Sequence, residues 1–220
     1  MISDIEQEKL KKSKVCVLGC GGLGGYIIEF LVRLGVGFIT AVDADHFDIT
    51  NLNRQLLATE KNIDKCKASE AKKRAEIVNS EVEVKAVCEF LNEENEVEIL
   101  QGHDIIIDAL DDITTRKRVQ KVAKDLEIPL IHGAIAGWYG QVCTIMPGDD
   151  LLDRLYRTDK SQGEEERLGN PSFTPALVAS IEVSEAIKVL LSKGVILRKE
   201  VIYIDLLDGE IQRLSLKDSI

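Results

Sequence analysis

Apolar and polar residues follow two alternating patterns along the first 135 residues of the chain. Short continuous apolar runs predict strands buried on both faces, whereas apolar residues three or four positions apart predict amphipathic helices. Strands are predicted at 14–18, 38–43, 82–88, 105–110 and from 129 onward, and helices at 24–35, 65–79, 92–101 and 114–126. Strict alternation of strands and helices predicts an α/β fold with a parallel sheet.

The pattern changes after residue 138. Residues 139–148 predict a strand that should leave the parallel set, and residues 148–172 are polar, charged and interrupted by glycine and proline. A segment of that length and composition predicts a flexible crossover-type loop. Residues 173–194 predict a long helix with Pro175 in its first turn, and residues 201–216 predict a hairpin that turns at Asp208-Gly209.

These elements together predict a doubly wound, Rossmann-like, mostly parallel sheet with antiparallel C-terminal strands. The length of 220 residues and a hydrophobic content of 45% suit one domain. We expect a nucleotide-binding core at 14–147, the loop at 148–172, and a C-terminal helix and hairpin at 173–220.

The composition limits which binding partners and which cellular location we expect. A net charge of -10 gives no electrostatic footprint for nucleic acid, so no nucleic-acid partner is expected. No apolar run reaches the roughly 18 residues that a membrane span needs, and the charged start does not resemble a signal peptide. We therefore expect a cytoplasmic protein with no membrane partner.

The five cysteines are scattered, and none forms a CxxC pair. This spacing argues against a structural zinc site or a redox dithiol. We expect reduced thiols packed as small apolar side chains.

A glycine-rich loop joins the first predicted strand to the first long helix. It reads Gly19-Cys20-Gly21-Gly22-Leu23-Gly24, a GxGxxG spacing in the strand–loop–helix context that phosphate binding requires. Glycines let the backbone approach a phosphate at the N-terminus of the helix. Asp43 ends the second strand, where its carboxylate can accept hydrogen bonds from ribose hydroxyls. These features fit ATP and NAD equally.

The string DADHFDITNLNRQL at 43–56 favours ATP, because a dehydrogenase has no use for so dense a polar cluster. The guanidinium of Arg54 suits phosphate oxygens, and Lys67 can supply a second positive charge. Two cations suit a triphosphate and exceed the need of the pyrophosphate of NAD. The alternative for Arg54 is an exposed ion pair with Asp45 or Asp48. The candidate ligands in this stretch are Asp45, Asn51, Asn53, Arg54 and Gln55.

A group of carboxylates follows the predicted strand at 105–110. Asp108, Asp111 and Asp112 should lie at the same edge of the sheet as the glycine loop. Mg²⁺ beside phosphates is usually held by one or two carboxylates plus water, so Asp111 is the candidate Mg²⁺ ligand. The alternative is N-capping of the helix that begins near Thr114.

Taken together, the strings GCGGLGG at 19–25, DADHFDITNLNRQL at 43–56, Lys67 in DKCK and DALDD at 108–112 resemble the ThiF/MoeB/HesA family. The stretch at 169–191 also looks like the late helix of this family, so the resemblance covers residues 14–191. It implies an ATP- and Mg²⁺-dependent adenylyltransferase, related to ubiquitin-activating enzymes. Such enzymes activate the C-terminal glycine carboxylate of a small ubiquitin-like sulfur-carrier protein, ending in Gly-Gly, as an acyl-adenylate, and they are commonly homodimers.

The resemblance also assigns roles to single residues. Gly22 would contact the phosphates and Asp43 the ribose, whereas Lys67 would neutralise the triphosphate and Asp111 would bind Mg²⁺. Arg54, Lys67 and Asp111 are the catalytic candidates. Asn51, Asn53, Arg54 and Gln55 would line the triphosphate. The full candidate cofactor-binding set is Gly19, Gly21, Gly22, Gly24, Asp43, Asp45, Asn51, Asn53, Arg54, Gln55, Lys67, Asp111 and Asp112.

The chain departs from the family pattern in several places. It lacks the paired CxxC motifs of zinc-containing members, no arginine precedes Arg33, and the loop at 148–172 contains no cysteine. Asp112 stands where the family often has asparagine. His132 is a possible ligand contact, and Trp138 belongs either to a channel for the carrier tail or to the core or a dimer interface. The other functions considered are a non-catalytic binding subunit, a member acting on small molecules or tRNA, and an NAD-dependent oxidoreductase.

Overall fold

The computed structural model describes residues 2–156 and 169–216 and contains an eight-stranded mixed sheet. Its strand order is β3-β2-β1-β4-β5-β6-β7-β8, and the pairs from β3 to β5 are parallel, whereas those from β5 to β8 are antiparallel. The predicted fold class is confirmed. The strands are β1 Lys14–Leu18, β2 Phe38–Val42, β3 Glu83–Val87, β4 Ile105–Asp108, β5 Leu130–Ala136, β6 Tyr139–Ile145, β7 Glu200–Asp205 and β8 Glu210–Ser215.

Helices cover both faces of this sheet. They are α1 Asp4–Leu10, α2 Gly22–Leu34, α3 Lys67–Val78, α4 Glu96–Leu100, α5 Ile113–Asp125, α6 Leu151–Leu155 and α7 Phe173–Leu191. Successive side chains of a strand point to opposite faces, and β1 shows this directly. Val15 and Val17 belong to the core beneath α2, α3 and α7, whereas Cys16 and Leu18 belong to the core beneath α4, α5 and α6.

The direction of chain winding creates a crevice in the sheet. From β1 the chain moves outward to β2 and β3, and then returns to the other side of β1 to form β4 and β5. In doubly wound sheets, ligands bind at such a switch point, outside the carboxyl ends of the strands. The loops that follow β1, β2 and β4 therefore surround the expected site.

Part of the predicted loop at 148–172 is helical. Residues Leu151–Leu155 form α6, and Leu151 and Leu152 are buried against the core. The prediction was wrong there because a five-residue helix is too short to show a helical period in an otherwise charged stretch. Residues 157–168 of that loop lie outside the described residues.

The expectation that all five cysteines are reduced is also wrong. Cys66 and Cys88 form a disulfide, while Cys16, Cys20 and Cys143 are free thiols. Burial raises the pKa of all three free thiols, so they remain protonated inside the core. Spacing along the chain did not reveal the disulfide, because the sheet brings the segments after β2 and after β3 together.

No helix in the described ranges combines the length and the apolar character that crossing a bilayer requires.

One buried carboxyl group in α7 affects stability. Glu182 is fully buried, and both carboxyl oxygens lack a hydrogen-bond partner among the described residues. Burial, reinforced by the negative charge of Asp108, raises the pKa of Glu182 well above its usual range. The side chain packs directly on Gly133, where an added Cβ would overlap the carboxyl group. At neutral pH the folded protein therefore holds a proton on Glu182 that the unfolded chain, with an ordinary glutamate pKa of roughly 4.3, has already released.

This proton makes stability depend on pH. A raised folded-state pKa contributes stability that is fully present below the unfolded pKa of roughly 4.3 and is lost as pH rises toward the folded value. We expect thermal unfolding of the wild type to shift downward between pH 5 and pH 8 more steeply than that of Glu182→Gln. The slope removed is up to about 1.4 kcal/mol per pH unit. The exposed Glu60→Gln serves as the control, and parallel curves for wild type and Glu182→Gln would refute this account.

Candidate functional site

A cavity of about 310 Å³ opens at the carboxyl ends of β1, β2 and β4. It brings together ten of the thirteen residues predicted to bind the cofactor. These are Gly19, Gly21, Gly22, Asp43, Asp45, Arg54, Gln55, Lys67, Asp111 and Asp112. Gly24, Asn51 and Asn53 do not line the cavity but lie in the segments that form its walls.

The glycine loop is shaped by close packing against the loop that follows β4. Gly19 has φ +93°, a left-handed conformation that favours glycine, and an added Cβ would lie 2.6 Å from the carbonyl oxygen of Ala109. Gly21 occupies the N-cap position of α2, and no described side chain caps that end. Backbone N–H groups in the first turn of α2 are thus directed to the cavity, where an anion would be stabilised.

Gly24 supports this loop from within α2. A Cβ at Gly24 would overlap the carbonyl oxygen of Gly19 and would lie 3.5 Å from the Ala109 side chain. Its role in the structure is therefore to let the helix approach the loop.

Asp43 holds the glycine loop and the segment that follows β2. One of its carboxylate oxygens accepts a hydrogen bond of 2.7 Å from the N–H of Cys20, and the other accepts one of 2.8 Å from the N–H of Asp45. Burial raises the pKa of Asp43, while the Cys20 hydrogen bond and the charge of Lys67 oppose that rise. Each carboxylate oxygen keeps a second lone pair, so the group can still accept hydrogen bonds from a ligand hydroxyl.

Asn51 and Asn53 organise the polar segment at 48–55. Residues Ile49–Asn51 form a short 3₁₀ helix in which the Asn51 side chain accepts a hydrogen bond of 3.0 Å from the N–H of Asp48. The guanidinium of Arg54 donates to the Thr50 carbonyl and to the Asn53 side chain, each at 3.0 Å. These contacts hold Arg54 at the cavity wall. No carboxylate in the described ranges forms an ion pair with it, so the alternative pairing with Asp45 or Asp48 is wrong.

Gln55 lines the cavity and contains an unsatisfied polar atom that is itself buried. Its side chain is buried beside Gly21, and its Oε1 has no hydrogen-bond partner within residues 2–156 and 169–216. A buried amide oxygen without a partner is costly, so the fold retains Gln55 in this position at a cost to stability.

Lys67 is the buried cation of the site. It is the first residue of α3, and its Nζ lies 3.0 Å from a carboxylate oxygen of Asp45. The Lys67 side chain is 10% exposed, whereas Asp45 is 57% exposed. Little water competes for the ammonium group, so its charge acts strongly on an anion in the cavity.

Asp111 and Asp112 have different surroundings. Asp112 is the N-cap of α5 and accepts hydrogen bonds of 2.6 Å from both the N–H and the hydroxyl of Thr115. Burial opposes ionisation of Asp112, but the Thr115 hydrogen bonds outweigh it and hold the pKa below the usual range. Asp111 is exposed at the cavity, and α5 is capped by Asp112 rather than by Asp111. Capping, the alternative considered for this group, thus applies to Asp112.

The cavity also contains residues that the sequence reasoning missed. Residues 89–91 follow β3 at the same edge of the sheet, and Thr115 and Arg116 project from the first turn of α5. Two features of the sequence could have indicated these residues. Residues 89–91 directly follow a parallel strand, and Thr115 and Arg116 follow the candidate N-cap of a predicted helix. The cavity-lining residues that were not predicted and that could contact a ligand are Glu89, Phe90, Leu91, Thr115, Arg116 and Asn170.

His132 and Trp138 lie outside the cavity lining. His132 is fully buried in β5, with Nδ1 2.7 Å from Asp108 and Nε2 3.0 Å from the Tyr156 hydroxyl. Burial lowers the pKa of His132 although Asp108 opposes this, so the ring is neutral. Asp108 also accepts a hydrogen bond of 3.0 Å from the N–H of Leu110, so this network supports the loop after β4. Trp138 is 42% exposed and packs on Phe173 with ring centroids 4.7 Å apart.

The fold and the site define a nucleotide-binding α/β protein with a phosphate loop, a buried lysine and an exposed carboxylate. The family model described as the ThiF family matches residues 1–219, and the chain belongs to that family. The sulfur carrier protein adenylyltransferase of Thermus thermophilus is 34% identical over 220 residues, covering 96% of this chain and 81% of that protein. The molybdopterin-synthase adenylyltransferase of Haemophilus influenzae is 32% identical, covering 96% and 88%.

The fold is also found in solved structures. The E. coli MccB structure with ATP superposes with a TM-score of 0.83 at 22% identity, covering 98% of this chain and 66% of that one. At this identity the likeness concerns the fold.

Gly24→Ala tests the close approach of α2 to the glycine loop. We expect it to lower the unfolding free energy by about 2 kcal/mol or more, because the overlapping atom is backbone and cannot move away. Gly22→Ala is the matched control, since its Cβ would have no neighbour nearer than 3.8 Å. Urea denaturation measures both variants, and equal stabilities would contradict the packing argument.

Asp112 provides a second test. Asp112→Ala should lose about 1 kcal/mol of unfolding free energy, whereas Asp112→Asn should keep most of it, because asparagine retains an oxygen that accepts from Thr115. Chemical denaturation at pH 7 measures the difference. If the two variants lose the same amount, the carboxylate charge rather than the capping hydrogen bond stabilises α5.

Proposed function

We propose that this protein is an ATP- and Mg²⁺-dependent adenylyltransferase. Its substrate is the C-terminal glycine carboxylate of a small ubiquitin-like sulfur-carrier protein ending in Gly-Gly, and its products are an acyl-adenylate and pyrophosphate. The observation that carries the proposal is the grouping of the glycine loop, Asp43, Arg54, Lys67 and Asp111 around one cavity at the switch point of the sheet. The names of the Thermus and Haemophilus relatives support the same activity.

The charges around the cavity favour a triphosphate accompanied by a cation. Among the described residues, five carboxylates and three cationic side chains line it: Asp43, Asp45, Glu89, Asp111 and Asp112 face Arg54, Lys67 and Arg116. An unaccompanied triphosphate would add further negative charge to an already acidic site. Asp111, which is exposed at the cavity next to the N-cap residue Asp112, fits a direct carboxylate ligand of the kind that Mg²⁺ commonly takes beside phosphates. When bound, Mg²⁺ would offset charge on the phosphate oxygens.

The chain's own residues position and polarise the reactants. The first turn of α2 holds phosphate oxygens with its N–H groups, and Asp43 accepts from ribose hydroxyls. The carrier carboxylate attacks the α-phosphorus, and the bond to the bridging oxygen breaks as pyrophosphate leaves. Arg54 and Lys67 stabilise the charge that grows on the departing oxygens. A carboxylate is already ionised at pH 7, so no side chain needs to act as a base.

The alternatives account for less of the site. An NAD-dependent oxidoreductase would not need the positive charges of Arg54 and Lys67. A non-catalytic binding subunit would not need Asp43, Arg54, Lys67 and Asp111 together. A member of the family that acts on another acceptor would share the ATP site. Pyrophosphate–ATP exchange separates the two activities, because exchange by a carrier-activating enzyme requires the carrier. The homodimeric state, the cytoplasmic location and the lack of nucleic-acid and zinc partners remain predictions.

Pyrophosphate–ATP exchange tests the proposal directly. Radiolabelled pyrophosphate should enter ATP only when the enzyme, Mg²⁺ and a carrier ending in Gly-Gly are all present. Arg54→Ala and Asp111→Ala should each reduce the exchange rate by well over tenfold, which is at least about 1.4 kcal/mol of transition-state stabilisation.

Asn53→Ala is the matched control for Arg54→Ala. It removes one hydrogen bond that orients the guanidinium, and Thr50 still accepts the other, so the loss should be smaller. ATP binding without exchange for any carrier would refute the activity. Exchange near the wild-type rate in both Arg54→Ala and Asp111→Ala would refute the roles assigned to these residues.

A further inference from the structure

The Cys66–Cys88 disulfide lies in the wall of the nucleotide cavity. Cys66 directly precedes Lys67, the buried cation at the start of α3. Cys88 directly precedes Glu89, Phe90 and Leu91, which line the cavity where β3 ends. The disulfide thus joins two loops that both contribute to the same site.

Backbone contacts place the segment after β2 between these two loops. On one side the N–H of Asp43 donates to the carbonyl of Val87 at 3.0 Å. On the other side the N–H of Lys67 donates to the carbonyl of Asp45 at 2.9 Å, and Cys66 forms an antiparallel bridge with His46. Cys66 Sγ lies 3.8 Å from the Asp43 carbonyl oxygen. The disulfide therefore crosses the segment that contains Asp43, and we call this covalent link the strap.

The disulfide is the covalent restraint on the start of the segment beyond Cys88. Residues 88–90 are exposed, and Phe90 is 74% exposed at the mouth of the cavity. Cys88 Sγ also lies 3.2 Å from the hydroxyl of Ser69 on α3. Hydrogen bonds hold the carbonyls of Phe90 and Leu91, but these groups are turned toward α4 and α5. Cleaving the disulfide would leave the cavity side of this segment without its covalent restraint.

The position of the pair also makes it accessible to chemical change. Cys88 is exposed, whereas Cys16, Cys20 and Cys143 are fully buried with protonated thiols. Disulfide exchange requires access of a thiolate to a sulfur atom, so Cys88 is the sulfur that a soluble reductant would reach. Disulfides in reducing compartments are rare and, where they occur, are commonly redox-responsive.

We propose that Cys66 and Cys88 form a reversible thiol–disulfide site that controls nucleotide binding. In the oxidised form the strap keeps Lys67, Asp43 and residues 89–91 in the arrangement seen here. Reduction by a dithiol breaks the S–S bond, and both protein sulfurs become thiols while the dithiol becomes a disulfide. Reoxidation by glutathione disulfide proceeds through a mixed disulfide on Cys88. The Cys66 thiolate then attacks Cys88 Sγ, and two molecules of glutathione are released in all.

The inference uses the proposed function for the identity of the nucleotide. The test is calorimetric titration of the full chain with ATP and Mg²⁺, after oxidation with glutathione disulfide and after reduction with a phosphine. We expect the dissociation constant for ATP to rise by about fivefold or more on reduction, because the site is no longer preorganised. Alkylation followed by mass spectrometry should label Cys66 and Cys88 only in the reduced sample.

Two variants make the result specific. Cys66→Ser/Cys88→Ser should bind ATP like the reduced wild type and should not respond to the phosphine. Cys143→Ala, which changes a buried cysteine in β6, should retain the full redox response. Thermal unfolding is measured in parallel, because a disulfide that serves stability alone would lower the melting temperature on reduction and leave the affinity for ATP unchanged.

Several outcomes would overturn the proposal. Equal affinity for ATP in both redox states, or tight binding by the double serine variant, would do so while leaving the adenylyltransferase assignment intact. Alkylation of Cys66 and Cys88 after glutathione disulfide treatment would show that the disulfide does not form. Failure to bind ATP in either state would refute the nucleotide site of the proposed function and this inference with it.

Discussion

The close approach of α2 to the loop after β1 is the constraint on which the site depends. Neither Gly19 nor Gly24 has room for a Cβ, because the carbonyl of Ala109 crowds the first and the carbonyl of Gly19 crowds the second. The turn is therefore tight enough to bring the first N–H groups of α2 to the carboxyl ends of β1 and β4. Asp43 reinforces this geometry through its hydrogen bond to Cys20, so the loop after β2 is aligned with the phosphate loop.

The remaining parts of the site are arranged around that turn by side chains that perform two tasks. Asp43 supports backbone N–H groups and keeps lone pairs for a ligand, and Asp45 partners Lys67 while facing the cavity. Asp112 caps α5, which leaves Asp111 beside it as the carboxylate available to a cation. A polar cavity can be this crowded because most of its hydrogen-bonding groups already have protein partners. The buried oxygen of Gln55 is an exception, because it has no partner among the described residues.

Much of the architecture followed from local pattern. The period of apolar residues located the five parallel strands and the helices α2, α3, α5 and α7 within a few residues. Gly35 at φ +73° and Gly209 at φ +72° end a helix and turn a hairpin where the sequence placed them. The pattern failed at α6, whose two buried leucines are too few to define a period. In the site, ten predicted residues line the cavity, whereas Gly24, Asn51 and Asn53 shape its walls.

The sequence by itself determined the fold class, the phosphate loop and the polar string around Arg54, because these depend on residue types at fixed spacing within one segment. Only the tertiary structure decided which distant segments meet. It placed residues 89–91 in the same cavity as the glycine loop, joined Cys66 to Cys88, and put His132 in the core rather than in the cavity lining. It also separated the roles of the adjacent carboxylates Asp111 and Asp112. The physical reason is that contacts between segments are set by the order and direction of the strands, which local periodicity does not specify.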